Sequence, residues 1–233
     1  MGAIWRGLVQ AIELIVRLDP EVVEISWRSL RISATATLIG AALCIPMGSI
    51  IHFNRFRGKA ALVNLIQTLY SVPTVVIGLL VYIFFSHAGP FGAIDLLFSP
   101  TIMIIGEVLL IIPLLTGLIV SALSGVDRAI TDTALGLGAS RLQMVVTVIK
   151  EARFGVMATV ILGFGRAISE VGLALMVGGN IYGYTRVLTT AISLEVGKGN
   201  IELSIALGII LLLIALIVNI ILNRIQRGKS VIY

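Results

Sequence analysis

Long apolar runs dominate this chain, and short polar segments separate them. A helix needs roughly 20 mostly apolar residues to cross a bilayer core about 30 Å thick. Five runs meet that requirement, at residues 32–53, 60–85, 101–123, 154–177 and 201–222. The pattern therefore predicts an all-α integral membrane protein with five transmembrane helices.

The first 20 residues have an amphipathic pattern instead. Polar residues recur at helical spacing from Arg6 to Arg17, opposite an apolar side that includes Trp5. Such a helix is expected to lie along the membrane surface, and packing against the outside of the bundle is the alternative. Asp19-Pro20 should end it, because proline disfavours helical geometry in the preceding residue. Residues 1–20 are thus predicted as an N-terminal amphipathic helix and residues 21–233 as the transmembrane domain.

The charges predict an orientation. Hydrophobic residues make up 58% of the chain, charged residues 12%, and the mean hydropathy is +1.08, which is typical of a membrane protein. The net charge of +5 does not indicate nucleic acid, since the basic residues lie between the apolar runs. The segments after the first and third runs and the tail with Arg224, Arg227 and Lys229 are the basic ones. They are predicted to be cytoplasmic, which puts the N-terminus outside and the C-terminus inside a prokaryotic cytoplasmic membrane.

The sequence offers little for catalysis. Its two histidines, His52 and His87, stand outside any HExxH pattern, and no GxSxG or GxxxxGK[ST] motif occurs. Cys44 is the only cysteine, so neither an internal disulfide nor a cysteine metal cage can form. We predict no catalytic residue, no metal and no cofactor in this chain, and any ATP would have to be bound by a partner.

The polar segment between the third and fourth runs, residues 124–153, is the natural place for such a partner to dock. It reads as two short helices, 131–137 and 140–150, separated at Gly138-Ala139. Ser140 can cap the second helix, with Gln143 at the matching capping-box position. The residues predicted to couple to an ATPase are Asp132, Thr133, Ala134, Gly138, Ala139, Ser140 and Arg141.

Polar residues within the apolar runs are candidates for a translocation pathway or gate. A charged side chain at the bilayer centre costs roughly 2.5–3.5 kcal/mol on insertion scales, so Arg166 should avoid lipid. Glu170 lies one turn onward and can pair with it, with Ser169 beside them. A structural ion pair and a role in gating are equally good readings. Pro73, followed by Thr74, predicts either a kink or an opening that lines the pathway.

The segment around Asp132 resembles a known family signature. Asp132-Thr133-Ala134, three further residues and then Gly138 are similar to the EAA motif of ABC importer permeases. In that family the motif shapes the coupling helix that docks into the ATPase. This chain departs from it with Asp132 for glutamate, Thr133 for the first alanine, and Lys150-Glu151-Ala152 where many members have Leu-Pro.

The resemblance extends from about Arg31 to the C-terminal tail. The segments 166–172 and 71–78 are similar to the fourth and second spans of the molybdate, tungstate and sulfate permeases, and 89–100 and 178–190 look most like tungstate-type permeases. This implies a homodimer with two copies of a cytoplasmic ATPase that binds ATP and Mg, and an extracytoplasmic oxyanion-binding protein. The alternatives are a molybdate or sulfate permease, a membrane-embedded enzyme and a passive channel.

Overall fold

The computed structural model describes residues 2–227, so part of the basic tail, with Lys229, lies outside the described residues. The described part of the chain is mainly helical and contains no strand. The α-helices are α1 Gly2–Val16, α2 Pro20–Phe53, α3 Lys59–Thr68, α4 Thr74–Phe85, α5 Pro100–Ser124, α6 Arg128–Gly136, α7 Arg141–Glu151, α8 Arg153–Ile168, α9 Gly172–Gly178, α10 Leu188–Gly197 and α11 Ile201–Arg227. Short 3-10 turns at Leu69–Ser71 and Gly92–Ile94 complete the list.

Two of the five predicted spans are broken. Among the described residues, α2, α5 and α11 are long and apolar enough to cross a membrane as single helices. The second run bends by 97° between α3 with its 3-10 turn and α4, and the fourth bends by 59° between α8 and α9. Three spans, or five if each bent pair is counted as one, are therefore present, and the prediction of continuous helices at 60–85 and 154–177 was wrong. The all-α membrane fold is confirmed.

The prolines within the runs have different effects. Pro46 lies inside the continuous helix α2 and Pro113 inside the continuous helix α5. Pro73 precedes α4 at the 97° bend. Of the three prolines, only Pro73 lies at a break. Its missing N–H costs no helical hydrogen bond there, since α4 begins at the next residue.

The core lies between α2 and α5, which pack along most of their length. Small residues of α2 make this possible, since a Cβ on Gly40 would lie 2.9 Å from Cδ1 of Ile111 and one on Gly48 would lie 2.7 Å from Cγ2 of Ile119. Close backbone approach at small residues is the usual basis of helix packing in membranes, where burial of apolar surface gives no net driving force. Small residues thus allow α2 to approach α5 closely, whereas Gly165 in α8 has nothing within 4 Å of its Cβ position.

Helix α1 packs on the outside of the bundle, the alternative considered for it, and its placement along the membrane surface stays a prediction. It packs against α11 through Gly7 and Ala11, while Arg6 forms a 2.5 Å ion pair with Glu202. Its larger apolar residues face away from the bundle. Among them, Ile4 and Trp5 are each 67% exposed. The helix is therefore held on the bundle by its small residues and leaves its apolar side free for lipid.

Helix α10 was not predicted. It lies between the fourth and fifth apolar runs. Its Leu188 and Ala191 pack with Val22 of α2 and Leu207 of α11. The backbone N–H of Leu188 also donates to Ser29 Oγ at 2.8 Å, a contact across 159 residues of sequence. This helix joins the beginning of α2 to α11 at one end of the bundle.

Candidate functional site: a projecting turn and a break in the membrane

The turn between α6 and α7 forms a complete Schellman motif. The N–H of Ala139 donates to the carbonyl of Ala134, and that of Gly138 donates to the carbonyl of Leu135, both at 3.0 Å. Gly138 has φ +81°, a left-handed conformation that costs a residue with a Cβ roughly 1–2 kcal/mol. A Cβ there would meet nothing within 4 Å, so the glycine is required by the backbone and not by crowding in this chain.

The predicted capping box of α7 is present. Gln143 N donates to Ser140 Oγ at 3.3 Å, and Ser140 N donates to Gln143 Oε1 at 2.7 Å. The helix then buries Met144 and Val148 against the core. The helices differ from the prediction mainly at the start, since α6 begins at Arg128, where Asp127 Oδ1 accepts from Ala129 N at 2.9 Å. An Asp N-cap was the local signal for that earlier start.

The turn projects apolar side chains without a partner in the described chain. Leu135 is 48% exposed and Leu137 is 84% exposed. Asp132 and Thr133 are exposed beside them, and Ala134 is half-buried against the core. Exposed leucines on a segment too polar to enter lipid are typical of a protein-docking surface. We call residues 132–141 the coupling turn, after the role predicted for them from the sequence.

The coupling turn is fixed to the end of α2. Arg141 Nη2 donates to Asn54 Oδ1 at 2.8 Å, across 87 residues of sequence. Asn54 in turn follows α2, and its Nδ2 donates to the carbonyl of Ile50 at 2.8 Å. This hydrogen bond links the turn to the end of a long apolar helix. Asn54 was not predicted, and no local pattern in the sequence signals its partner.

The two broken spans meet at their breaks. Thr74 begins α4 after Pro73, and Gly172 begins α9. A Cβ on Gly172 would lie 2.9 Å from Cγ2 of Val75 and 3.4 Å from Oγ1 of Thr74. Irregular backbone within a membrane protein is tolerated only where protein or a cavity surrounds it, so this junction is the most unusual point inside the bundle.

Glu170 stabilises the second break in two ways. Its Oε2 accepts from Arg166 Nη1 at 3.1 Å, and its Oε1 accepts from the backbone N–H of Leu173 at 3.0 Å, in the first turn of α9. Its side chain is 2% exposed, whereas that of Arg166 is 35% exposed. The carboxylate thus neutralises a cation and caps a helix N-terminus, where negative charge is favoured. The predicted pair is present, but Glu170 lies beyond the end of α8 and not on its face.

Two backbone carbonyls near the break also accept hydrogen bonds from side chains. Ser169 Oγ donates to the carbonyl of Gly165 at 2.6 Å, and Thr189 Oγ1, from α10, donates to the carbonyl of Glu170 at 2.7 Å. With the cap on Leu173, hydroxyl and carboxylate groups replace part of the missing helical ladder. This accounts for a span that breaks without a proline.

Glu107 is a further buried acid, outside the predicted pathway residues. It lies in α5 with 4% exposure, and its Oε2 has no hydrogen-bond partner within the part of the chain described. Its neighbour Gly106 faces Leu173, the residue that Glu170 caps, since a Cβ there would lie 2.7 Å from Leu173 Cδ2. Ionisable groups therefore come from two spans at this depth.

Comparison with known proteins agrees with this architecture. Residues 44–231 match the family described as "Binding-protein-dependent transport system inner membrane component". The chain is 41% identical over 209 residues to the tungstate uptake system permease protein of Peptoclostridium acidaminophilum, covering 90% of this chain and 92% of that protein. It is 34% identical over 224 residues to the tungstate uptake system permease protein of Campylobacter jejuni, covering 96% and 94%.

A solved structure supports the fold. A chain in the crystal structure of a bacterial alginate ABC transporter, in complex with a periplasmic protein carrying an alginate pentasaccharide, matches with a TM-score of 0.75. The sequence identity is 19%, and the match covers 94% of this chain and 83% of that one. The family match and the relatives confirm the resemblance inferred from the sequence. The chain belongs to the inner-membrane components of binding-protein-dependent transport systems, the permease subunits of ABC importers.

Proposed function

We propose that this chain forms the translocation pathway of an ATP-driven tungstate importer, as a homodimer that binds two copies of a cytoplasmic ATPase and an extracytoplasmic oxyanion-binding protein. The tungstate assignment is supported by two relatives named as tungstate uptake permeases, which align over nearly their whole lengths. A molybdate or sulfate permease is the second candidate, supported by more distant relatives such as the sulfate permease of Escherichia coli at 26% identity.

The observation that carries the proposal is the coupling turn. It is rigid, because a Schellman motif and a capping box define it, and it presents Leu135 and Leu137 to solvent. Asp132, Thr133, Ala134, Gly138, Ala139 and Ser140 would form the surface that enters the ATPase. Closure of the ATPase pair on ATP would push on this turn, and the Arg141–Asn54 hydrogen bond would pass the displacement to α2. In the proposed orientation, the turn and the C-terminus lie in the cytoplasm and the N-terminus lies outside.

The pathway would run past the junction of the broken spans, at Pro73, Thr74, Arg166, Ser169 and Glu170. A junction of four helix ends can shift with less disruption than a continuous helix, which suits a gate. Arg166 is the cation of this group, and Glu170 already pairs with it. A doubly charged anion would therefore meet no unpaired cation in this group, so it could pass without being retained.

The decisive experiment compares two glycines in the same backbone motif. Gly199 follows α10 in a second Schellman motif, with φ +82° and nothing within 4 Å of its Cβ position. Gly138→Leu and Gly199→Leu should therefore cost the same stability, roughly 1–2 kcal/mol each. Only Gly138→Leu should lose the ATPase on co-purification and lose ATP-dependent uptake of tungstate into vesicles.

Two results would count against the proposal. If Gly138→Leu retained the ATPase and normal uptake, the coupling turn would not be the docking site. If both variants lost the ATPase equally, the loss would reflect strain and not docking. The anion is decided separately by calorimetry of tungstate, molybdate and sulfate on the partner binding protein, followed by uptake through the wild-type complex.

A further inference from the structure

A groove opens between the end of α2 and the start of α7. It encloses about 370 Å³. Ile50, Phe53, Leu142 and Val145 form its apolar wall. Asn54 and Arg141 are polar lining residues, and we call them, with the following Arg55 and Arg57, the rim. We propose that this groove binds an anionic glycerophospholipid of the cytoplasmic leaflet, with an acyl chain against the apolar wall and the headgroup among the arginines at the rim.

The apolar wall belongs to the membrane part of the molecule. Ile50 is 61% exposed and lies one turn before the end of α2, a helix long and apolar enough to span a bilayer. Ile50 therefore lies on the bilayer side of the end of α2. Leu142, on α7, is 73% exposed and extends the same surface. Acyl chains are therefore the solvent that matches this wall.

The rim explains why the headgroup should be anionic. Arg55 and Arg57 follow Asn54 in the sequence, and Arg141 lines the groove. None of the three has a carboxylate within 4.0 Å in the described chain, where the ion pairs lie elsewhere. Cations beside a membrane surface attract acidic lipids, and arginine suits phosphate through paired N–H donors.

A neighbouring lysine shows that not every cation here is free. Lys59 Nζ donates to the carbonyls of His52 at 2.7 Å and Asn54 at 3.3 Å, so it caps the end of α2. Arg55 and Arg57, which lie between Asn54 and Lys59 in the sequence, do not cap α2 in the described chain. A bound phosphate between Arg55, Arg57 and Arg141 would hold the α2–α3 connection against α7, which is where the proposed coupling passes into the membrane.

This inference rests on the proposed cytoplasmic placement of the turn, but its test needs no ATPase. The chain has two tryptophans, so Trp5→Phe and Trp27→Phe with Ile50→Trp leave one tryptophan at the groove. The full chain is reconstituted in phosphatidylcholine that contains a minor share of either brominated phosphatidylglycerol or brominated phosphatidylcholine. Tryptophan quenching then reports which lipid lies in the groove. The matched reporter is Leu216→Trp on α11, since Leu216 is 54% exposed and has no arginine cluster beside it.

Phosphatidylglycerol should be enriched about fivefold or more over phosphatidylcholine at position 50 and hardly at all at position 216. Arg55→Gln with Arg57→Gln should abolish the preference. Arg128→Gln with Lys150→Gln should leave the preference intact. This pair removes the same charge from the polar segment between α5 and α8, and neither residue lines the groove. Neither pair alters Arg141, so ATPase coupling is not confounded.

Three results would overturn the inference. Equal quenching by the two lipids at position 50 would mean that the groove has no headgroup preference. An equal loss of preference in both glutamine pairs would assign it to net charge and not to the rim. Protection of position 50 from both lipids would mean that protein, either a second copy or the ATPase, covers the groove.

Discussion

Glu170→Ala should be the most destabilising single change at the break between α8 and α9. It removes the acceptor for Arg166 Nη1 at 3.1 Å and the cap on Leu173 N at 3.0 Å in one step. Breaking a buried ion pair by deleting one partner costs about 3–5 kcal/mol, and the lower end applies because the Arg166 side chain is 35% exposed. Losing a helix cap costs about 1 kcal/mol more. The expected loss of unfolding free energy is therefore about 4 kcal/mol.

Two companion variants separate the contributions. Arg166→Ala with Glu170→Ala removes the stranded cation and should lose only about 1–2 kcal/mol, mainly from the missing cap. Glu170→Gln keeps an acceptor for Leu173 and should lose about 2 kcal/mol, since only the charge is removed. The measurement is reversible unfolding in mixed micelles with increasing SDS, followed by far-UV circular dichroism.

The double-mutant cycle gives the refutation. Arg166→Ala alone completes the cycle; if the double variant lost the sum of the losses of Glu170→Ala and Arg166→Ala, the two side chains would not be energetically coupled. If Glu170→Ala lost less than Glu170→Gln, the hydrogen bond to Leu173 would not help to hold the break together. A change in uptake without a change in stability would instead assign the pair to gating.

Two more predictions concern the junction and the opposite end of the bundle. Gly172→Ala should lower uptake, because its Cβ would lie 2.9 Å from Cγ2 of Val75 and push the two half-helices apart, whereas Gly165→Ala, with nothing within 4 Å, should be neutral; equal effects in the uptake assay would contradict this. The Lys198 ammonium, which donates to Glu195 at 2.6 Å, is the main cause that lowers the pKa of that carboxyl below its ordinary value of 4.5. The folded carboxylate then adds stability above pH 4.5, and this is lost as the pH falls through its lowered pKa. Glu195→Gln should flatten the stability profile in that acid range, and parallel profiles would refute the assignment.

Many features of the coupling turn could be predicted because their causes are local. Gly138 ends α6 and Ser140 caps α7 through hydrogen bonds that reach only a few residues along the chain. The same holds for the apolar runs, since lipid selects hydropathy over consecutive residues. The start of α6 was missed by three residues, although Asp127 was a readable cap.

The break at Glu170 could not be predicted, because its causes are distant. The sequence there contains no proline, and Arg166, Ser169 and Glu170 look compatible with one continuous helix. What makes the break tolerable is Thr189, 19 residues away, which satisfies the carbonyl of Glu170, together with the close packing of Gly172 on Val75. Neither contact leaves a pattern at the break itself.

The sequence alone thus determined the membrane fold class, the approximate spans, the helix cap and turn around Gly138 and Ser140, and the family, because hydropathy and helix caps act over one or a few turns. The tertiary structure alone decided that two spans are broken, that their breaks meet, and that Arg141 is tied to Asn54 across 87 residues. The physical reason is that a freed backbone group inside a membrane must find a partner, and the partner's position depends on how helices far apart in sequence pack.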